Sequence, residues 1–481
     1  MSQNQKNHEP FPEPTMAQWV QNAEQSLNTL MSSTYENIPL KPLYTRADVK
    51  HTVASLPGTD DYRRGVNALG YWSQPWKIAQ RIRTDDIDRF KVQLHSAFQN
   101  GQNAISFIPS SLLLKDLPQL LVHYYQQHPF AVNGGINQYE LFEILLKMEN
   151  PDKITGFIGM DPISLYIKDP SLKLDKCYER LSRTLEKTMS SIPLLKTILI
   201  NTTPYHNGGA NAVQELAIAL ASGVEHIEKL KMYQFHIDDY YQKIIFHFSI
   251  GQSFFMEIAK LRAFRVLWGK VLFAYGIQPD EDFITISAET SSYTKTVHDP
   301  YINLIRSGNE AFAAVLGGIQ YLHISPYNEL EGEGTDFSAR IARNMHHILK
   351  EEVRLNSIID PGGGSWYIES ITNNLIDKSW SLFLQIDDQG GIIKTIQSNW
   401  LQNLIDEVRL KKEQDVIDGK KIIVGTNKYL DPKVPSLNVT KDPSSKIQTR
   451  TIIPIVEGRL TERFETEKKS GENLPDQGDT E

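Results

Sequence analysis

Short apolar runs alternate along the chain with longer amphipathic stretches. Six runs rich in β-branched and aromatic residues predict β-strands; they occupy residues 104–110, 153–159, 195–203, 243–251, 283–291 and 319–326. Longer stretches with apolar residues every three or four positions predict helices, and the clearest are residues 175–189, 211–230, 252–276 and 337–353. This alternation predicts a parallel sheet that is covered by helices.

Two α/β architectures accommodate this order of elements. Eight strand–helix units would close a (β/α)8 TIM barrel, and an open doubly wound sheet is the alternative. Polar and turn-forming residues follow two of the predicted strands, at residues 201–203 and 289–292. Because the carboxyl ends of barrel strands form the working face of that fold, we favour the barrel.

The two ends of the chain differ from this central region. Residues 1–40 are polar and marked by prolines, except for a predicted helix from Met16 to Leu30 whose apolar face needs a partner, on this chain or on another subunit. The last residues are charged and poor in apolar side chains. We therefore divide the chain into an N-terminal helical arm (1–40), a barrel (41–400), a C-terminal extension (401–465) and a disordered tail (466–481).

Composition excludes several classes of function. The 481 residues carry a formal net charge of −8, which argues against a nucleic-acid partner, since such a partner requires a basic face. No stretch approaches the roughly 20 apolar residues of a membrane span, so we expect no membrane partner. The single cysteine, Cys177, excludes an intramolecular disulfide and has the helical spacing of a core residue. We expect a soluble cytoplasmic protein.

Candidate chemistry is sparse. The segment "NGGANA" (207–212) opens a helix and suits either an anion-binding turn or, as we favour, a tight strand-to-helix turn. The glycines of "DPGGGSWY" (360–367) suit either a close backbone approach or a turn. The adjacent His346 and His347 lie about 100° apart around a helix, which is not a metal-binding spacing. These patterns give no catalytic, cofactor-binding or metal-binding residue.

Several long segments resemble the barrel chain of the methylmalonyl-CoA mutase family of cobalamin-dependent acyl-CoA mutases. They appear in the family's order over roughly residues 40–430 and include "LPGTDDYRRG" (56–65), "QPWKIAQ" (74–80), "GANAVQELAIALASGVEH" (209–226), "SFFMEIAKLRAFRVLW" (253–268), "FSARIARNMHHILKEE" (337–352) and "IDPGGGSWYIESIT" (359–372). The resemblance implies a barrel that threads acyl-CoA along its axis towards adenosylcobalamin, whose radical chemistry rearranges the acyl group.

The resemblance breaks at the positions with which active chains of the family grip their substrate. Arginines, a tyrosine, a serine, a histidine and a glutamine of that pattern correspond here to Gln74, Ala79, Arg81, Lys243, Ile245, Pro204 (with His206 two residues away) and Glu289. The family's Gly-Thr-Ile-Gln-Asn-Asp is Gly156-Phe157-Ile158-Gly159-Met160-Asp161. Glutamine or alanine cannot reproduce the bidentate carboxylate recognition of arginine, so the resemblance implies a barrel that no longer catalyses.

The resemblance also implies a partner. No histidine of the chain has an aspartate two residues before it, so the family's cobalt-ligating motif is missing, and we expect the chain to lack the flavodoxin-like cobalamin-binding domain. The segment "RLTERFE" (459–465) is similar to the end of the family's small, non-catalytic subunit. We expect a heterodimer in which a catalytic large subunit binds adenosylcobalamin and this chain binds none. An active mutase that uses a separate cobalamin-binding chain, and a non-catalytic acyl-CoA-binding module, stay open as alternatives.

Overall fold

The strands form one main sheet and one small ribbon. The computed structural model describes residues 15–24, 32–49, 55–59, 61–332, 334–431, 433–439 and 451–470. The strands in these residues are β1 (Ser32–Ser33), β2 (Pro39–Leu40), β3 (Lys77–Ile78), β4 (Phe130–Asn133), β5 (Gly156–Met160), β6 (Leu195–Asn201), β7 (Ile244–Ile250), β8 (Ile286–Thr290) and β9 (Tyr321–His323). β1 and β2 pair antiparallel, and the other seven form a parallel sheet in the order β3-β9-β8-β7-β6-β5-β4.

A short eighth segment closes this sheet into a barrel. On one side of it, Ile82 just beyond β3 donates its amide hydrogen to the carbonyl of Ser106 over 3.0 Å. On the other side, the amide of Ile105 donates to the carbonyl of Pro129 over 2.8 Å, and Ala131 of β4 donates to the carbonyl of Ile105. The parallel ladder is therefore continuous around eight members, which confirms the predicted TIM-type barrel over the open sheet.

The helices cover the barrel. Those in the described residues are α1 (Met16–Glu24), α2 (Ile87–Gln99), α3 (Ser111–Leu121), α4 (Gln138–Leu145), α5 (Pro162–Lys168), α6 (Leu174–Ser191), α7 (Thr203–Asn207), α8 (Ala212–Lys231), α9 (Ile237–Tyr240), α10 (Phe254–Ala274), α11 (Ile302–Leu316), α12 (Asp336–His347), α13 (Trp366–Asp388), α14 (Ile392–Gln397), α15 (Trp400–Ile417) and α16 (Glu462–Ser470). The long α13 packs against α8 and α10. None of the described helices is long and apolar enough to cross a membrane.

Alternation along each strand separates an outer core from an inner one. On β7, Phe246 and Phe248 point outwards and meet the helix α10, where the rings of Phe246 and Trp268 lie 4.8 Å apart. Ile245 belongs instead to the cluster on the barrel axis. The period of two residues per repeat in a strand produces this division.

The helix and strand predictions agree with most of the structure. The six predicted strands are present, although residues 104–110 form only single bridges rather than a regular strand. β3 and β4 were not predicted, because runs of two and four residues are too short for a periodicity to stand out. The predicted helix at 337–353 ends as an α-helix at His347 and continues as a π-helical turn over Ile348–Glu352.

The chain ends depart from their predicted boundaries. α1 begins at Met16 as predicted and extends to Glu24; residues 25–31 lie outside the described residues. At the other end, α16 runs from Glu462 to Ser470 and crosses the predicted boundary at residue 466. Leu460 and Phe464, before that boundary, pack into a cluster with Tyr293, Val416 and Ile423. Residues 471–481 lie outside the described residues.

A buried ionic frame ties three of the resembling motifs together. The guanidinium of Arg262, on α10 and fully buried, binds Asp360 of the glycine-rich loop and Glu369 of α13, the latter over 2.5 Å. Arg64 reaches the other oxygen of Asp360 over 2.8 Å. A Cβ on Gly363 would lie 2.2 Å from that oxygen, so this glycine allows the close approach of the backbone to the ion pair.

Candidate functional site

The barrel axis is filled by apolar side chains. One cluster points inwards from the strands and is formed by Ala79, Ala104, Ala131, Phe157, Leu199 and Ile245, with Tyr321 packed against it. We name this cluster the axial plug. Leu199 and Ile245 are fully buried, and Phe157 is 3% exposed. Side chains of these sizes fill the interior of a barrel of eight strands.

An aromatic contact spans the plug. The rings of Phe157 on β5 and Tyr321 on β9 have centroids 5.2 Å apart and meet edge to face at 84°. Between these two strands lie β6, β7 and β8 on one side, and β4, the short segment and β3 on the other. The two strands are therefore opposite one another, and their rings meet across the axis.

The layer above the plug, towards the carboxyl ends of the strands, is a network of charged and polar groups. A guanidinium nitrogen of Arg81 donates to Glu289 over 2.5 Å. His247 lies 3.3 Å from the same carboxylate through Nε2 and 3.0 Å from the Ser287 hydroxyl through Nδ1. Burial by itself would raise the pKa of Glu289, but Arg81 and the nearby histidines outweigh it and hold that pKa well below its usual value.

The pair Arg81–Glu289 changes how the broken resemblance is interpreted. By the resemblance, both residues stand where active chains carry neutral tyrosine and glutamine, and the sequence alone presents them as two separate losses. In the fold they form one ion pair at the barrel mouth, between strands that only β9 separates, so each charge compensates the other. Opposite signs at two replaced positions were the signal by which the pairing could have been anticipated.

The other replaced positions also have structural roles. Ala79 and Ile245 belong to the axial plug, and so does Phe157, which stands at a threonine of the family's pattern. Lys243, at the amino end of β7, donates to the Leu195 carbonyl over 3.2 Å, and burial lowers its pKa to about 8. Met160 is buried in the outer core.

His206 is committed to its neighbours. Its Nδ1 lies 2.7 Å from the carboxylate of Glu215, and its Nε2 lies 2.7 Å from the hydroxyl of Ser291. Pro204, at the position counted for the family's histidine, is buried in α7. Gln74 is exposed outside the barrel, in a groove next to Tyr71. None of these three side chains belongs to the axial plug.

The two glycine-containing motifs make their close contacts with other groups of this chain. At "NGGANA", Asn211 caps α8 by accepting a hydrogen bond from the Gln214 amide. The carboxylate of Glu36 accepts from the amide of Ala212, so the anion at this helix start comes from the loop between β1 and β2. At "DPGGGSWY", the close approach is to the ion pair of Asp360 and Arg64.

The two tryptophans of residues 70–81, Trp72 and Trp76, differ in burial. Trp76 is buried and donates from its indole to Nδ1 of His346 over 3.4 Å, while Trp72 is largely exposed. Nε2 of His346 lies 3.2 Å from the side-chain oxygen of Gln80, so neither ring nitrogen is directed at solvent. Burial lowers the pKa of His346 to about 3. His346 is therefore a neutral core residue.

Together these features define an α/β barrel of the TIM type whose axis is packed and whose mouth is held by internal ion pairs. A family model described as methylmalonyl-CoA mutase matches residues 33–111 and 146–470. The chain belongs to the methylmalonyl-CoA mutase family.

Curated relatives agree with this assignment. A methylmalonyl-CoA mutase of Escherichia coli is 32% identical over 84% of this chain and 62% of its own length. A methylmalonyl-CoA mutase small subunit of Porphyromonas gingivalis is 28% identical over 83% of this chain and 66% of its own length. The mitochondrial methylmalonyl-CoA mutase of Bos taurus is 28% identical over 92% of this chain and 64% of its own length. The chain thus spans about two thirds of these relatives.

Proposed function

We propose that this chain is the small, non-catalytic subunit of a heterodimeric methylmalonyl-CoA mutase. In this proposal it supports a catalytic large subunit that interconverts methylmalonyl-CoA and succinyl-CoA. The family assignment and the relative named as a small subunit support the proposal. The positions at which active chains of the family bind substrate support it as well, since most of the residues that replace them here pack or form ion pairs within the fold.

The observation that carries the proposal is the contact of Phe157 and Tyr321 across the barrel axis. An acyl-CoA arm threaded along the axis would have to displace both rings together with Leu199 and Ile245, which are fully buried. Removing a buried aromatic side chain from its packing costs about 3–5 kcal/mol. Binding in that path therefore carries a large penalty before any contact with substrate is made.

The proposal assigns adenosylcobalamin to the partner chain. At the barrel mouth, His247 has no free ring nitrogen for cobalt, because both nitrogens are engaged by Ser287 and Glu289. Within the part of the chain that the structure describes, no group of three or more histidine, cysteine, aspartate or glutamate side chains could hold a metal ion. The role of this chain's residues is then to maintain a rigid barrel for the partner to pack against.

Co-purification and turnover test the proposal together. The chain is expressed with and without the cobalamin-carrying mutase chain of the same source, and masses are measured by light scattering. We expect a one-to-one complex that isomerises methylmalonyl-CoA with adenosylcobalamin, and no turnover by this chain alone. A chain that stays monomeric beside that partner contradicts the subunit role.

Two alternatives correspond to other outcomes of the same measurements. Turnover by this chain with only a small cobalamin-binding chain identifies an active mutase. Calorimetric binding of succinyl-CoA at one site, without turnover, identifies an acyl-CoA-binding module. A Tyr321→Ala variant provides the control for binding along the axis, because it removes one of the two rings that meet there.

A further inference from the structure

A cavity lies beside the barrel mouth, outside the axial plug. It is enclosed by the chain after β3, by α2, by the loop after β9 and by α12, and its volume is about 140 Å³. We name it the arginine pocket; its lining includes Arg81, Arg83, Gln102, His323, Glu329 and Arg343. A single water molecule needs roughly 10–15 Å³ of such cavity volume, so the pocket has room for a small polyatomic ion.

Arg343 is the unusual member of this lining. The residue is only 7% exposed, and its Nε is buried without a hydrogen-bond partner. No hydrogen bond or ion pair joins its guanidinium to any of the described residues. Burial, together with nearby Arg340, lowers its pKa, but a guanidinium remains charged in proteins. A largely buried charge without a counter-charge in contact is costly, and this favours an anion in the pocket.

His323 also lines the pocket, and its ring adds no positive charge there. Its Nδ1 accepts a hydrogen bond from the backbone amide of Arg81 over 3.2 Å. Burial, with Arg81 and Arg83 nearby, holds the pKa of His323 well below its usual value, so the ring is neutral. The remaining proton is therefore on Nε2, and that atom is buried without a partner.

The acids around the pocket are otherwise occupied. Glu289 is bound to Arg81 and His247. Glu329 lies 3.6 Å from Arg83, and burial raises the pKa of its carboxyl. Asp336, at the rim, accepts a hydrogen bond from Gln93 over 3.3 Å. None of these carboxylates forms an ion pair with Arg343, so among the described residues its guanidinium has no counter-charge in direct contact.

We propose that the arginine pocket binds a phosphate group, held by the guanidinium groups of Arg343 and Arg83. A phosphate suits the site better than a dicarboxylate such as succinate, because it brings its negative charge and its acceptor oxygens in one compact group within reach of both guanidinium groups. This site is independent of the proposed subunit role, since it lies outside the axis.

Calorimetry on the full-length chain tests the site. Inorganic phosphate is titrated into protein in a phosphate-free buffer of low ionic strength, with methyl phosphate and succinate in parallel. We expect saturable binding of phosphate at one site, and weaker binding of succinate. Tighter binding of methyl phosphate than of inorganic phosphate would assign the site to phosphate monoesters, and the reverse order to the free ion.

Two arginines of α12 provide a matched pair of variants. Arg343→Gln should weaken phosphate binding at least tenfold, whereas Arg340→Gln, which removes an exposed charge one turn earlier, should leave it unchanged. Arg343→Gln should also raise the melting temperature in phosphate-free buffer, because it removes an uncompensated buried charge.

Arg83→Gln is the second test of the site and should also weaken phosphate binding, because it removes one of the two guanidinium groups that hold the ion. Equal losses in Arg343→Gln and Arg340→Gln would overturn the proposal, because they would indicate only general electrostatic attraction. The absence of saturable binding in the unmodified chain, or tighter binding of succinate than of phosphate, would overturn it as well.

Discussion

Arg262 illustrates what a single residue contributes to this fold. Its guanidinium binds two carboxylates, from Asp360 and Glu369, and all three side chains are buried or nearly so. Replacement by leucine removes the buried cation that the two carboxylates share and leaves Asp360 with Arg64 and Glu369 with Arg63. Breaking a buried pair in this way costs about 3–5 kcal/mol.

The prediction for Arg262→Leu is therefore a loss of about 3–5 kcal/mol in the free energy of unfolding, measured by urea denaturation. Arg183→Leu is the control, because the pair of Arg183 and Glu179 is exposed to solvent and such pairs contribute about 0–1 kcal/mol. Similar losses in the two variants would show that the frame around Arg262 does not support the fold.

The pair Arg81–Glu289 predicts non-additive effects. Arg81→Tyr leaves Glu289 without its main counter-charge, and Glu289→Gln leaves Arg81 without its acceptor. Each single variant should lose about 1–3 kcal/mol of stability, and the double variant should lose less than the sum. Urea denaturation of the four proteins gives the coupling energy. Additive losses would mean that the two replacements do not compensate one another.

His346 predicts a pH dependence of stability. Its pKa is about 3 in the folded chain, against about 6.5 for an unperturbed histidine, so the unfolded state binds more protons between these values. The contribution of His346 to stability is therefore complete above pH 6.5. It falls by about 1.4 kcal/mol for each pH unit below that, towards pH 3.

Comparison with a His346→Gln variant isolates the contribution of His346 to the pH dependence of stability. The difference in unfolding free energy between the unmodified chain and this variant should shrink as pH falls from 6 to 4. His236→Gln is the control, since this ring is exposed to water in the folded state as in the unfolded one. A difference that stays constant over this range contradicts a neutral, buried His346.

At the scale of elements, the segment 451–470 depends on a few apolar anchors. It lies across the carboxyl end of the barrel, where Ile455 donates its amide to the Ile167 carbonyl and Leu460 donates to Tyr293. Leu460 is buried in the same cluster as Tyr293, whereas Val456 is 65% exposed. The segment is therefore held by a few separate buried side chains and hydrogen bonds rather than by a continuous apolar face.

Leu460→Ala should therefore cost about 2–5 kcal/mol and make this segment more sensitive to proteolysis. Val456→Ala, four residues earlier, should have an effect within about 0.5 kcal/mol, as is usual for surface positions. Urea denaturation and limited proteolysis of both variants measure the effect. Equal sensitivity of the two variants would show that Leu460 does not anchor the segment.

At the scale of the whole molecule, one continuous core joins the barrel to the elements that follow it. The main cluster of buried residues extends from Ile38 to Ile455 and includes side chains of α8, α10, α13 and α15. We therefore expect the described parts of the chain to unfold in one transition. Tryptophan fluorescence and far-ultraviolet circular dichroism should give coincident urea curves, and separated curves would indicate independent units.

The sequence by itself determined the alternation of strands and helices, the barrel class and the positions where the family pattern breaks. These depend on local periodicity and residue type, which are present in any window of the chain. The short strands β3 and β4 were not predicted from the sequence, because long-range pairing decides where they form.

Only the tertiary structure decided what the replaced residues do. Arg81 and Glu289 are 208 residues apart in the chain, and Phe157 and Tyr321 lie on opposite strands, so no local pattern reveals that they meet. No local pattern reveals the environment of Arg343 either, because side chains from four different elements surround the arginine pocket. These contacts form because closure of the barrel brings residues that are distant in the sequence close together in space.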